Sequence, residues 1–206
     1  MLDFYYAPGT IALATHIALE DAGAEYQAHL IDFSKEMQKS PDYLKVNPKG
    51  RVPALVTPEG ILTETPAMLA YVAQSCPAAS LAPLDDPFAF AQIQSVNAYI
   101  CSTLHVAHAH RMRGHRWTDD PATMASLTKF VPEAVGASFQ HIEDHILVGP
   151  YVMGESYSIA DPYLFTVTRW MESDGVDPAK FPKISAHHEL MAGRESVQKA
   201  LKMELG

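Results

Sequence analysis

Glu64, Thr65 and Pro66 form a segment whose residue types suit the binding of a small charged molecule. Threonine caps helix N-termini and proline favours the first helical position, so we predict that a helix begins here. The free backbone N–H groups and the dipole at a helix N-terminus favour an anion. The Thr65 hydroxyl adds a hydrogen-bond donor, and the Glu64 carboxylate matches a cation. The structural alternative is a plain helix cap with an acidic neighbour.

Val52-Pro53 is a second segment with possible binding chemistry. An X–Pro bond keeps only about 0.5–1 kcal/mol of preference for the trans form, so a cis peptide is plausible at this site. Such a turn leaves the N–H and C=O groups of Val52 pointing outward, free to pair with an extended peptide as an added strand. Taken alone, the pair is also explained by an ordinary proline in an edge strand.

The elements around these segments predict a small mixed sheet with helices packed on it. Apolar alternation and Pro/Gly turns predict strands at residues 2–6, 26–32, 52–56 and 61–63, the last two as a hairpin, with residues 33–50 irregular. Helices are predicted from Thr10 to about Gly23 and from Thr65 to about Gln74. The order βαβ-ββα implies a parallel strand pair followed by antiparallel strands.

The second half of the chain reads as helical throughout. Three prolines without periodicity between residues 75 and 87 indicate a linker, which we place at 78–87 between a domain at 1–77 and an all-helical domain at 88–206. A long helical stretch begins at Pro121, and Ser158-Ile159-Ala160-Asp161 is a variant capping box that opens another helix. Two short helices are predicted near Pro182 and Glu195.

Composition and charge exclude several classes of function. The 206 residues are 48% hydrophobic and 19% charged, which is typical of a packed globular protein. No run of about 18 apolar residues occurs and the N-terminus lacks signal-peptide features, so we expect no membrane segment and a cytoplasmic location. The formal charge of -9 disfavours nucleic acid as a partner. The basic stretch from Arg111 to Arg116 is interpreted as a solvated helix end.

Three motifs in order resemble the glutathione transferase superfamily: the stretch from Asn47 to Leu55, Glu64-Thr65 at a helix start, and Ser158-Ile159-Ala160-Asp161 in a helical region. Tyr6-Ala7-Pro8-Gly9, His16-Ile17-Ala18-Leu19 and Leu104-His105 look most like the bacterial beta class of that superfamily. The resemblance covers essentially the whole chain. It implies a thioredoxin-like N-terminal domain joined to an all-helical domain, usually in a homodimer, which agrees with the predicted outline.

The resemblance also implies a glutathione site in the N-terminal domain. The backbone of Val52, followed by a cis proline, would pair with the cysteinyl part of glutathione. Glu64 and Thr65 would hold the γ-glutamyl head through its ammonium and carboxylate groups. Lys35 and Arg51 are candidates for the glycyl carboxylate, and a solvated surface position is the equal alternative for either.

The sequence departs from the beta class where that class carries its cysteine, usually followed by serine. Ile11 and Ala12 stand at those positions. A free thiol with a pKa near about 8.5 is about 3% ionised at pH 7, and lowering that pKa by roughly two units requires about 2.7 kcal/mol. We therefore expect the Thr10 hydroxyl and the N–H groups of Ile11 and Ala12 to stabilise the glutathione thiolate. Tyr5 and His105 are further catalytic candidates, with a helix cap and sheet core as the alternatives for Thr10 and Tyr5.

The expected function is a glutathione transferase that conjugates glutathione, its co-substrate, to a small hydrophobic electrophile. Ser102, His105, His108 and Met112 would form a wall of the electrophile site. The histidines between residues 105 and 115 lack accompanying ligands at usual spacing, so no metal is expected. The alternative is a non-catalytic glutathione-binding or stress-regulatory protein, because both side chains at positions 11 and 12 differ from the beta class. A scaffold without a glutathione site is a third class.

Overall fold

The N-terminal part of the chain forms a four-stranded mixed sheet with helices, and the computed structural model describes residues 1–205. The elements are β1 (Leu2–Tyr6), α1 (Ala12–Asp21), β2 (Tyr26–Leu30), α2 (Pro41–Val46), β3 (Ala54–Thr57), β4 (Gly60–Thr63) and α3 (Thr65–Ser75). The strand order is β2-β1-β3-β4. β1 and β2 run parallel, and β3 is antiparallel to both β1 and β4. The predicted thioredoxin-like fold class is confirmed.

One local prediction in this part was wrong. Residues 33–50 were expected to be irregular, but they contain α2 and two short 3-10 turns, Phe33–Lys35 and Met37–Lys39. The Ser40 hydroxyl accepts a hydrogen bond from the Tyr43 N–H at 3.2 Å, and Pro41 occupies the first helical position. A helix of only six residues is too short to show a helical periodicity in the sequence.

The rest of the chain is mostly helical, as predicted. The helices are α4 (Pro87–Tyr99), α5 (His105–Arg113), α6 (Pro121–His141), α7 (Ala160–Thr168), α8 (Pro182–Ala192) and α9 (Glu195–Leu205). Short π-helical turns follow α4 and α6, at Ile100–Leu104 and Ile142–Ile146. Within residues 1–205, no helix has the length and apolar character needed to cross a membrane. The domain boundaries placed on either side of residues 78–87 stay a prediction.

The core continues from the sheet into the helices around α7. Every residue of α7 is buried, and the helix contacts α1, α4 and α8. The predicted capping box at its start is confirmed, because the buried Asp161 carboxylate accepts hydrogen bonds from the Ser158 N–H at 2.7 Å and the Val152 N–H at 2.8 Å. His187 Nε2 lies 3.1 Å from the same carboxylate. The cap therefore ties α7 to the loop before it and to α8.

A buried histidine links α1 to the edge of the sheet. His16 is 1% exposed, and its Nε2 lies 2.7 Å from the hydroxyl of Tyr26, which in turn donates to the Glu20 carboxylate. Since the Tyr26 proton goes to Glu20, the His16 Nε2–H is the donor to Tyr26. Burial lowers the pKa of His16 to about 4, with the Glu20 charge opposing that shift. His16 is therefore neutral in the folded protein near pH 7.

The His16 pKa predicts a pH dependence of stability. Between about pH 6.5 and about pH 4 the unfolded histidine binds a proton that the folded one does not, so the free energy of unfolding falls as the pH is lowered through this window. Urea unfolding measured across this pH window should show a smaller decrease in the free energy of unfolding for His16→Gln than for the wild type. The exposed His145→Gln is the control and should keep the wild-type slope. An unchanged slope in H16Q would contradict the prediction.

Candidate functional site

A cleft of about 800 Å³ opens between the sheet and the helices that follow it. Its lining comes from the start of α1, the segment before β3, the start of α3, and α5 with the turn after it. The residues proposed from the sequence that line this single cleft are Thr10, Ile11, Arg51, Val52, Pro53, Glu64, Thr65, His105 and His108. Segments far apart in the chain thus contribute to one site.

The segment before β3 is held rigidly by buried polar groups. The carbonyl of Arg51 accepts hydrogen bonds from Asn47 Nδ2 and from the Tyr43 hydroxyl, both at 2.6 Å. Gly50 has a φ of +60°, and a Cβ there would lie 3.0 Å from the backbone oxygen of Gln38. Only glycine meets both conditions without strain. The chain therefore enters the cleft at Val52 in a fixed direction.

Val52 presents unpaired backbone to the cleft. The Val52-Pro53 peptide bond is cis, as expected. The ladder between β1 and β3 begins at Ala54, so Val52 lies just before it. Within residues 1–205 the N–H and C=O groups of Val52 have no hydrogen-bond partner. The segment can accept an extended peptide that pairs with this backbone.

The start of α3 offers both an anion site and a carboxylate. Glu64 has a backbone φ of 72°, a value that residues other than glycine rarely adopt. The N–H group and hydroxyl of the buried Thr65 have no hydrogen-bond partner in the described part of the chain. Lys49, which was not among the site residues predicted from the sequence, pairs with the Glu64 carboxylate and donates to the Thr63 hydroxyl at 2.6 Å. Its position within the Asn47–Leu55 motif is the sequence feature from which a role in the site could have been predicted.

Thr10 caps α1. Its hydroxyl donates to the Ala7 carbonyl at 2.7 Å and accepts from the Ala12 N–H at 3.3 Å. Of the two N–H groups proposed to face a thiol, the one on Ala12 is thus engaged. The N–H of Ile11 has no partner among the residues that the structure describes. Thr10 donates into the cleft only if its hydroxyl turns away from Ala7.

His105 faces the cleft as a neutral ring. Burial lowers its pKa to about 4, and the nearby His108, Arg113, Arg116 and Arg51 lower it further in that order. Near pH 7 this imidazole can donate or accept a hydrogen bond, but it brings no positive charge to a bound ligand.

His108 is fixed beside a tryptophan. Its Nδ1 lies 2.7 Å from the carboxylate of Asp174, which is buried and also forms an ion pair with Arg111 at 3.1 Å. The imidazole stacks on the Trp170 ring with 4.1 Å between centroids. Trp170 also lines the cleft. The pair forms a flat aromatic wall.

Two proposed site residues do not reach the cleft. Tyr5 stacks on His29 at 4.6 Å between centroids, because strand alternation sends it to the sheet face opposite Tyr6. Lys35 lies in an exposed 3-10 turn and pairs with Asp32 at 3.1 Å. The sequence-based roles of Tyr5 and Lys35 are therefore corrected.

Two of the four proposed wall residues are also misplaced. Ser102 is exposed in the π-helical turn before α5, where each turn holds an extra residue and the spacing of the sequence pattern shifts. Met112 is 76% exposed and lies outside the lining. Arg113, Arg116 and Trp117 line that side of the cleft instead. The basic stretch that the sequence suggested to be merely a solvated helix end thus forms part of the site.

Potential metal ligands and thiols are few in the site. Among residues 1–205, no group of three or more histidine, cysteine, aspartate or glutamate side chains is arranged to hold a metal ion. Both cysteines are free, and Cys101 lines the cleft next to Tyr163.

Family models cover both parts of the chain. Residues 2–74 match the model described as "Glutathione S-transferase, N-terminal domain", and residues 107–204 match "Glutathione S-transferase, C-terminal domain". Together these two models include most of the residues that line the cleft, and Cys101, His105 and Val106 lie between them.

Individual proteins of that family are similar over nearly their whole length. The chain is 32% identical to the glutathione S-transferase GstA of Escherichia coli O157:H7, over 98% of each chain. A solved structure of a glutathione transferase homolog from Sulfitobacter, with bound glutathione, is 48% identical with a TM-score of 0.95 over 98% of each chain. A sphingomonad glutathione S-transferase complexed with glutathione is 31% identical with a TM-score of 0.86, also over 98% of each chain.

The environment of His105 predicts its titration. The ring-proton NMR shift of His105, assigned by comparison with His105→Gln, should stay constant from about pH 8 to about pH 5.5 and move only near pH 4, because burial and three arginines oppose protonation. A midpoint above about pH 6 would contradict the prediction, because it would show that burial and the arginines do not oppose protonation of this ring.

Proposed function

Since the chain belongs to the glutathione S-transferase superfamily, we propose that it is a glutathione transferase that binds glutathione in the cleft and transfers it to a small electrophile. One observation carries the proposal. The free backbone of Val52, the start of α3 and the start of α1 line the same cleft, at the three places that a glutathione molecule would contact.

The γ-glutamyl head would lie at the start of α3. Its carboxylate can accept hydrogen bonds from the free N–H and hydroxyl of Thr65, where the helix dipole also favours an anion. Its ammonium group can meet the Glu64 carboxylate, which also pairs with Lys49. The two charges of the amino-acid head are thus matched by adjacent residues.

The remaining parts of the tripeptide would follow the edge of the sheet. The cysteinyl N–H and C=O groups would pair with the backbone of Val52 and extend the sheet by a short strand. The glycyl carboxylate would lie toward Arg51, which lines the cleft and has no carboxylate partner within the described residues. This pose directs the thiol toward the start of α1.

The thiol would be activated by neutral donors. The Ile11 N–H is free, and the Thr10 hydroxyl reaches a ligand if it exchanges the Ala7 carbonyl for the sulfur. Hydrogen bonds and a helix N-terminus favour the thiolate over the thiol. The thiol proton passes to water in the open cleft, the sulfur forms a bond to the electrophilic carbon, and the leaving group departs with its electron pair.

A second candidate function is glutathione binding without catalysis. The observation that favours it is the hydrogen bond from the Thr10 hydroxyl to the Ala7 carbonyl, which leaves only backbone N–H groups as ready donors at the start of α1 among the described residues. Retention on immobilised glutathione without conjugation of 1-chloro-2,4-dinitrobenzene would support this binding role over the transferase.

The proposal includes a homodimer built from two-domain chains divided at residues 78–87. Its support is the exposure of large apolar side chains on the helices, with Phe88 74% exposed and Phe130 55% exposed. Light scattering of the purified protein should give twice the mass of one chain.

Glu64 is expected to control glutathione affinity. Glu64→Gln removes the counter-charge of the ligand ammonium, and hydrogen bonds to charged groups are worth about 1.5–3 kcal/mol, so the Kd for glutathione should rise at least about tenfold. Glu59→Gln is the matched control, since Glu59 is exposed on the hairpin away from the cleft. Isothermal titration measures both variants. Wild-type affinity in E64Q would remove Glu64 from the ligand site.

Thr10 is expected to control turnover rather than binding. Loss of one hydrogen-bond donor to a developing anion typically costs about 100-fold in kcat, so Thr10→Ala should lower the rate of 1-chloro-2,4-dinitrobenzene conjugation by roughly that factor with little change in glutathione Kd. Thr10→Ser keeps the hydroxyl and should retain most of the rate. Equal rates for T10A and the wild type would exclude Thr10 from the mechanism.

A further inference from the structure

The charged lining of the cleft is predominantly basic, although the chain carries a formal charge of -9. Its basic residues are Lys39, Lys49, Arg51, Arg113 and Arg116, against the single carboxylate of Glu64 among the described lining residues. Lys39 pairs with Glu36, and Lys49 pairs with Glu64. The two lysines are therefore neutralised locally, whereas the three arginines are not.

The arginines divide according to whether they line the cleft. Those outside it are all paired, Arg111 with Asp174, Arg169 with Glu204 and Arg194 with Asp21. Arg51, Arg113 and Arg116 have no carboxylate partner anywhere in residues 1–205. Unpaired guanidinium groups facing a cleft are suited to bind the carboxylate of a ligand, because their planar donors match its two oxygens.

These three arginines come together from separate segments. Arg51 precedes β3, Arg113 ends α5, and Arg116 ends the 3-10 turn that follows. Burial, together with the charges of Arg51 and Arg113, lowers the pKa of Arg116 to about 10, so the guanidinium groups are close enough to repel one another. The dipole of α5 favours a cation in its last turn, but it does not explain the approach of Arg51. A bound anion would relieve the repulsion.

Aromatic side chains line the same cleft as these arginines. Trp170 with its stacked partner His108 forms one part, and Trp117 forms the other, in edge contact with His110 at 4.4 Å between centroids. Flat π-surfaces in one cleft with guanidinium groups suit a planar ring that bears a negative charge.

Glutathione does not use all of this positive charge. It carries two carboxylates and one ammonium, and in the proposed pose its γ-glutamyl head is held at Glu64 and Thr65 and its glycyl carboxylate at Arg51. Arg113 and Arg116 remain without a partner. Resting on the proposed function, we infer that the second substrate is an aromatic carboxylate, bound through its carboxylate by Arg113 and Arg116 with its ring against Trp170 and Trp117.

Both tryptophans of the chain line the cleft, so their fluorescence reports binding without any turnover. The probes are 3,5-dinitrobenzoate and its uncharged analogue 3,5-dinitrobenzamide, titrated with and without saturating glutathione. We expect the benzoate to bind at least about tenfold more tightly than the benzamide, and to bind alongside glutathione. Arg113→Gln and Arg116→Gln should each remove most of this preference, and Arg116→Lys should keep part of it.

Lys129→Gln is the matched control, because it removes one positive charge from an exposed position of α6 outside the cleft. It should keep the full preference for the benzoate. Equal affinities of the two probes, or an undiminished preference in R113Q and R116Q, would overturn the inference. Displacement of the benzoate by glutathione would also overturn it, since the arginines would then serve glutathione itself. Failure of glutathione to bind would instead refute the proposed function, and the titration without glutathione would still test the anion site.

Discussion

The site depends on backbone groups just before β3 that do not pair with β1. The ladder between β1 and β3 begins at Ala54, and Val52 enters the cleft with free N–H and C=O groups. Backbone N–H and C=O groups in a folded protein are normally paired, so an unpaired backbone segment at a cleft is a position where a ligand can take the place of a neighbouring strand. Asn47 and Tyr43 fix this geometry by holding the Arg51 carbonyl, which makes the binding edge a property of the folded loop rather than of the ligand.

The start of α1 can stabilise a thiolate of a bound ligand, but it has no cysteine nucleophile of its own. The apolar residues Ile11 and Ala12 provide no nucleophile, and His105 provides no charge near pH 7. What remains is a helix N-terminus, free backbone N–H groups and the Thr10 hydroxyl, which donates to the Ala7 carbonyl. Such a site can favour a thiolate through hydrogen bonds, but it cannot carry out disulfide chemistry with a cysteine of its own.

Local features of the site could be predicted from the sequence, and features that depend on long-range packing could not. The cis Val52-Pro53 bond, the start of α3 at Thr65 and the order of the strands follow from short motifs and alternation. The approach of Arg51 to Arg116 and the exposure of Trp170 to the cleft depend on how segments far apart in the chain pack together. A pattern along one segment contains no information about such contacts, which is why the basic stretch after α5 was interpreted only as a solvated helix end.

Backbone pairing at Val52 is the central claim, and amide hydrogen exchange measured by NMR tests it most directly. Glutathione at saturation should slow exchange of the Val52 N–H strongly, because that group would then donate to the cysteinyl carbonyl. The Asp85 N–H, which also has no partner within residues 1–205 and lies outside the cleft, should exchange at an unchanged rate. Glutathione that binds while leaving exchange at Val52 as fast as in the free protein would show that the tripeptide does not lie along this edge.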